Sequence, residues 1–357
     1  MSKTKYQIIA DELKEKIFSG DYPVGTTIPP ELQLQKDYDV SRHTVRQSIA
    51  QLVNEGYLRK EKGSGTYVDD AYKRSKGPTP KTIGVITTYL SDYIFPSIIR
   101  GIEKTLSEHG YSLLLASTNN DYQQEKACLE KMIRYGVDGL IVEPTKSNQY
   151  NPNLALYVRL REQGIPMVMI NAVYEELESA SICVDDVKVG FLAAEYLIHQ
   201  QHDKLLFVTK IDDLQGKYRM KGFIQACEQY DIQFAPEDIV TYTTETRKQV
   251  PDLVKSRLKE APEITGIVCY NDQIASLLLD RLVEAGYQVP EQISIIGNDD
   301  SSLSKVGAVK LSTLIHPKER MGNDAANWII QAVETGKYGE SILYEPELVT
   351  RDSVLKK

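Results

Sequence analysis

From Lys81 onward the chain repeats one pattern, a short apolar run followed by an amphipathic stretch at helical spacing. The runs are "TIGVITT", "SLLLAS", "DGLIVEP", "PMVMIN", "KLLFVT", "GIVCYND" and "ISIIGNDD". Strands apolar on both sides must be covered on both faces, which parallel sheets with flanking helices achieve, and the spacing suits βα units. Residues 81–357 are more than one such sheet usually holds. The pattern therefore predicts an α/β body of two doubly wound lobes with a cleft between them. Ligands bind such sheets outside the carboxyl ends of the strands. The polar tails Thr88, Glu143, Asn171, Asn271 and Asp299 are expected to converge there.

Residues 1–80 have a different texture. "KYQIIADELKEKIFSGDY" places Ile8, Ile9, Leu13, Ile17 and Phe18 at helical spacing, and Gly20 ends the run. Pro29 and Pro30 precede a short helix from Glu31 to about Tyr38, with Leu32 and Leu34 available for the core. After a turn at Asp39–Val40, Ser41 reads as the N-cap of a third helix that buries Val45, Ile49, Leu52 and Val53. Gly56 stops it, and "YLRKEKGSGTYV" reads as two short strands joined by a Gly-rich turn. Helix, helix, turn, helix, hairpin is the order of an α+β winged helix-turn-helix. "DVSRHTVRQSI" then acquires a purpose. Arg42, His43, Thr44, Arg46 and Gln47 crowd the first turn and outer face, where donors meet phosphate oxygens and guanine edges. Charge agrees: the chain is −8 overall, yet residues 1–80 carry 13 Lys+Arg against 11 Asp+Glu.

Residues 5–68 resemble the N-terminal domain of GntR-type bacterial regulators, through "YQIIADELKEKIFSGDYPVGTTIPPELQL" and "VSRHTVRQSIAQLVNEGYLRKEKGSGTYV". The resemblance implies a DNA face of Lys5, Glu31, Ser41, Arg42, His43, Thr44, Arg46 and Gln47, with Lys62, Gly63, Ser64 and Gly65 at the wing tip. One departure is Leu32, where many relatives carry an Arg that contacts DNA. The body resembles LacI/GalR-type regulators and periplasmic sugar-binding proteins. It does so through "IGVITTYLSDYIFPSIIRGIE", "YGVDGLIVEPT", "VDDVKVGFLAAEYLI", "RMKGFIQAC", "YNDQIA", "VPEQISIIGNDD" and "LSTLIHP". That likeness marks Asn171, Arg219, Asn271, Asp299 and His316 as sugar contacts. It lays the Thr88–Phe95 loop, with Tyr89, Tyr93 and Phe95, over the sugar ring, beside Glu143. Without the likeness, Asp299 reads equally as an N-cap in "NDDSS", and Phe95 as core. In "HQQHDKLLFV" relatives usually have Gly before the His at 202, a change expected to alter a turn only.

A GntR-type head on a LacI-type body resembles the arabinose-responsive regulators of Bacillus and related bacteria. This implies L-arabinose as effector, operator DNA as partner, a homodimer, and repression relieved by the sugar. The alternatives are another sugar, or sugar binding without repression. The expected domains are 1–70 (head), 71–80 (linker, within "DDAYKRSKGPTP") and 81–357 (body).

An enzyme is the first rival. His199 and His202 are expected to share a helix face, but no Cys or carboxylate cluster completes a metal set. No G-x-S-x-G, P-loop or strand-to-helix G-x-G-x-x-G occurs. No catalysis, cofactor or metal is expected. An exported sugar carrier is the second rival. No apolar run approaches a membrane span, and "MSKTKYQIIADELKEKIF" is too charged for a signal peptide. With four scattered cysteines, a cytoplasmic chain with reduced thiols and no membrane association is expected.

Overall fold

A computed structural model of the chain describes residues 4–61, 64–69, 81–90 and 93–357. The chain divides into two compact units, Met1–Pro80 and Lys81–Lys357.

In the first unit, α1 (Lys5–Ser19) ends on Gly20, whose φ of 78° supplies the left-handed cap. It buries Ile9, Leu13 and Ile17, whereas Ile8 is 44% exposed. Ile8 sits about 100° round the helix from Ile9, so only one of the two can face the core. Next come α2 (Glu31–Tyr38), a left-handed turn at Asp39, and α3 (Arg42–Asn54). Ser41 caps α3 by accepting the Thr44 N–H at 3.2 Å. The strands β1 (Leu58–Glu61) and β2 (Gly65–Val68) form the antiparallel wing. Thr26–Ile28 runs beside β2, joined by the Ile28 N–H to Thr66 and the Val68 N–H to Thr26. Leu34 is buried as expected, but Leu32 is 64% exposed. Its place on α2 faces away from the cluster of Leu13, Leu34, Val45, Ile49 and Leu52. Lys62, Gly63 and the 71–80 linker lie outside the described residues.

The second unit holds the two lobes. The first has β3 (Thr82–Thr87), α4 (Phe95–Glu108), β4 (Ser112–Ser117), α5 (Tyr122–Tyr135), β5 (Gly139–Val142), α6 (Leu154–Glu162), β6 (Met167–Ile170) and β7 (Ala180–Val184). The second has α7 (Asp186–His199), β8 (Leu205–Lys210), α8 (Leu214–Gln229), β9 (Ile239–Tyr242), α9 (Val250–Glu260), β10 (Gly266–Cys269), α10 (Asp272–Glu284) and β11 (Ser294–Ile296). The chain then passes through β12 (Thr313–Leu314) to α11 (Lys318–Thr335) and β13 (Ile342–Tyr344), both part of the first lobe, and leaves through β14 (Leu348–Val349). The sheets are wholly parallel, in the orders β13-β7-β6-β5-β3-β4 and β11-β10-β8-β9.

Three chain crossings join the lobes: Val184 to Asp186, β11 to α11, and β13 to the C-terminal tail. Antiparallel β12 and β14 pair within the last two. The tail finishes on the second lobe, where the Ile295 N–H donates to the Ser353 carbonyl at 2.8 Å. His202 anchors the same tail. Helix α7 ends at His199 and the chain turns through Gln201 at a φ of 68°, so the two histidines do not share a helix face. The His202 Nε2 lies 3.0 Å from the Leu355 carbonyl oxygen, which can only accept, so Nε2 carries the proton. Its Nδ1 accepts from the Thr265 hydroxyl at 2.8 Å.

Candidate functional site

All ten side chains expected at an effector site line one cavity of about 290 Å³ between the lobes: Thr88, Tyr89, Tyr93, Phe95, Glu143, Asn171, Arg219, Asn271, Asp299 and His316. They arrive there because the strands of both sheets end at the cleft, so residues just beyond a strand's carboxyl end must face it.

On the first lobe, the buried Glu143 carboxylate accepts the Thr88 N–H at 2.8 Å, the Thr88 hydroxyl at 2.5 Å and the Asn171 amide at 2.8 Å. Burial pushes its pKa up even against these donors. With its NH₂ turned to Glu143, Asn171 presents its oxygen to His316 Nε2 at 2.9 Å. That oxygen can only accept, so Nε2 carries the proton and Nδ1 is left as an acceptor. Nδ1 is buried and finds no partner among the described residues. Burial lowers the His316 pKa to about 4, so the ring is neutral at physiological pH. A single hydrogen-bond chain thus fixes the tautomer of His316.

On the second lobe, Arg219 donates from Nε to Asp186 at 2.8 Å and from Nη1 to the Tyr270 carbonyl at 2.5 Å. Its Nη2 stands 4.0 Å from Asp299, without a closer partner among the described residues. The close crossing of α7 and α8 sets this geometry. A Cβ on Gly190 would fall 1.9 Å from the Arg219 carbonyl oxygen, so any side chain there would drive Arg219 from Asp186. Burial raises the Asp186 pKa to about 6, despite the guanidinium beside it. Asn271 caps α10 through its oxygen, accepting the Ile274 N–H at 3.1 Å, which leaves its NH₂ for the cleft. Asp299 is not an N-cap, since Ser301 precedes the short helix that follows. Instead it accepts a short bond from the Tyr93 hydroxyl, which also receives the Asp272 N–H at 3.1 Å. Tyr93 therefore ties the first loop to the second lobe. Phe95 is 8% exposed and packs edge-on to Tyr89, at 5.7 Å between ring centres, so it serves core and cavity wall together.

Sequence reasoning missed Asp186, Lys210 and Asp213. Lys210 at the end of β8 pairs with Asp213 at 2.5 Å and Asp212 at 3.5 Å. Burial opposes its charge but the carboxylates prevail, and its pKa is raised. Lys210 and Arg219 are thus each neutralised by carboxylates from their own lobe, while Arg247 and Lys248 also line the cavity.

In the head, Glu31 accepts the Nε of Arg46 at 2.9 Å and of Arg42 at 3.2 Å. Burial raises its pKa, but the two guanidiniums outweigh this and hold it below the usual value. Their bonds occupy Nε and point both side chains the same way, while their side chains remain 61% and 55% exposed for Arg42 and Arg46. Lys5, Ser41, His43 and Gln47 are exposed and Thr44 is half-buried. At the wing, Ser64 and Tyr67 share a 2.6 Å hydrogen bond beside Gly65.

Among the described residues no helix is long and apolar enough to cross a membrane, and no three His, Cys, Asp or Glu side chains are grouped to hold a metal. Residues 5–68 match the family model "Bacterial regulatory proteins, gntR family", and residues 194–354 match "Periplasmic binding protein-like domain". The chain is 47% identical to an arabinose metabolism transcriptional repressor of Halalkalibacterium halodurans, over 98% of this chain and 96% of that one. It is 45% identical to one of Geobacillus stearothermophilus, over 98% and 97%. Among solved structures, a LacI family regulator of Enterococcus faecium with bound ribose is 26% identical, with a TM-score of 0.67 over 78% of this chain and all of that one. The regulator CcpA of Lactococcus lactis, at 21% identity, shares the fold with a TM-score of 0.69 over 77% of this chain.

Proposed function

Because the chain belongs to the arabinose metabolism transcriptional repressors, with a GntR-type head and a LacI-like body, we propose that it represses by binding operator DNA as a homodimer. L-arabinose, bound in the cleft between the lobes, releases it. The observation that carries the ligand class is charge balance. Arg219 and Lys210 are each paired with carboxylates of the protein, and Glu143 and Asp299 add further negative charge. The whole lining sets five carboxylates, Glu143, Asp186, Asp213, Glu245 and Asp299, against four cations, Lys210, Arg219, Arg247 and Lys248, so it holds no net positive charge for a phosphate or carboxylate and suits a neutral polyol. The Nη2 of Arg219 and the NH₂ of Asn271 supply donors for hydroxyls, the Asp299 carboxylate an acceptor, and Tyr89 and Phe95 an apolar wall.

The sugar-facing groups come from both lobes, so binding favours one relative angle of the lobes. The repressor works in the cytoplasm, where its operators are, and carries no cofactor. Thermal melts with L-arabinose, D-ribose, D-xylose and D-galactose test the ligand, because a ligand held only by the native state raises its stability. L-arabinose is expected to raise the melting temperature most. A larger shift with D-ribose would transfer the assignment to that pentose.

A further inference from the structure

Leu32 breaks the rule that the rest of the head obeys. It is 64% exposed on the first turn of α2, while Leu34, roughly 200° further round the helix, is 2% exposed. The neighbours of Leu32 bring three cations against one carboxylate, Glu31. The preceding residue, Glu31, holds Arg42 and Arg46 together. Lys36, one turn along α2 on the same face as Leu32, is exposed and has no ion pair among the described residues. A branched apolar side chain set among three cations matches one partner well. The DNA major groove has anionic phosphates along its rims, and the thymine C5-methyl is the one apolar group on its floor.

We propose that Leu32 is a specificity residue that packs on a thymine methyl of the operator, with Lys36 against a flanking phosphate. This rests on the DNA-binding reading of the head. Leu32 then contributes sequence preference without a hydrogen bond, beside the base or phosphate contacts of the arginines.

The test uses the full chain and duplexes that it selects from a randomised pool. Each thymine is replaced singly by uracil, which deletes only the methyl, and affinity is followed by fluorescence anisotropy. At one or two thymines, uracil should weaken wild-type binding about fourfold, the worth of one buried methyl group. Leu32→Ala should bind the unmodified duplex about fourfold more weakly and be indifferent to uracil at those positions. Lys36→Ala should lower the slope of log affinity against log salt by about one. If Leu32→Ala binds every duplex as the wild type does, the proposal is overturned. It is equally overturned if its loss simply adds to each uracil effect. The selection itself separates the two readings: a wild type that selects no duplex defeats the DNA-binding assignment, whereas a wild type that binds beside an indifferent Leu32→Ala defeats only the role of Leu32.

Discussion

Arg219 is held by two bonds that leave one terminal nitrogen for the cleft, and this shapes how it should be probed. Truncation to alanine would strand Asp186 in a buried site and cost on the order of 3–5 kcal/mol of folding stability. Arg219→Lys keeps the charge beside Asp186 but loses the planar fork. It is expected to lower L-arabinose affinity at least tenfold by calorimetry, while operator binding stays at the wild-type level and no longer responds to the sugar. Full retention of arabinose affinity would remove Arg219 from the site. In the head, the Glu31 pairs hold Arg42 and Arg46 as a unit. Arg46→Ala should weaken operator binding by about 1–3 kcal/mol if the side chain reads a base edge, with the arabinose-induced thermal shift intact. An unchanged operator affinity would place Arg46 off the DNA.

Among the elements, the turn after α7 carries a strain that the sequence announces. Gln201 sits at a φ of 68°, where a side chain costs roughly 1–2 kcal/mol that glycine avoids. Gln201→Gly is therefore expected to raise stability by up to about 1 kcal/mol in urea unfolding, and a destabilised variant would contradict it. The next residue fastens the C-terminal tail, and burial lowers the His202 pKa to about 4. A histidine depressed in the folded state contributes stability that is present above its unfolded value near 6.5. That stability is lost as pH falls through about 4. His202→Gln, uncharged throughout, should flatten part of the fall in melting temperature between pH 6.5 and 4. An unchanged slope would show that this tail does not govern acid stability. The same elements explain what could be read in advance. Strand tails reveal site residues because the topology sends every carboxyl end to the cleft, and Lys210, closing "KLLFVTK", obeyed that rule unnoticed. Asp186 was hidden by its neighbour: in "VDD", Asp185 is the cap that accepts the Lys188 N–H at 3.0 Å, and only packing shows that the second Asp meets Arg219. Leu32 was misplaced because apolarity says that a residue prefers burial, while the helical angle decides whether it obtains it.

For the whole molecule, one winged helix touches too little DNA for strong specificity, so two copies on a roughly palindromic site are expected. Light scattering of the protein–DNA complex should give two chains per duplex, and a strictly monomeric complex would refute this. If arabinose lowers operator affinity, operator must lower arabinose affinity by the same factor, which two titrations can compare. The three crossings between the lobes have a consequence for synthesis and inheritance. Because α11 and β13 complete the first lobe and the final residues brace the second, neither lobe is a contiguous stretch of chain. While the last few dozen residues are still inside the ribosome, the sheet begun at Thr82 lacks its edge strand, and β11 lacks the tail that covers it. A nonsense codon after Thr335 would remove both closures at once. Such a late truncation should abolish arabinose control as thoroughly as loss of half the gene, leaving the target promoters permanently active.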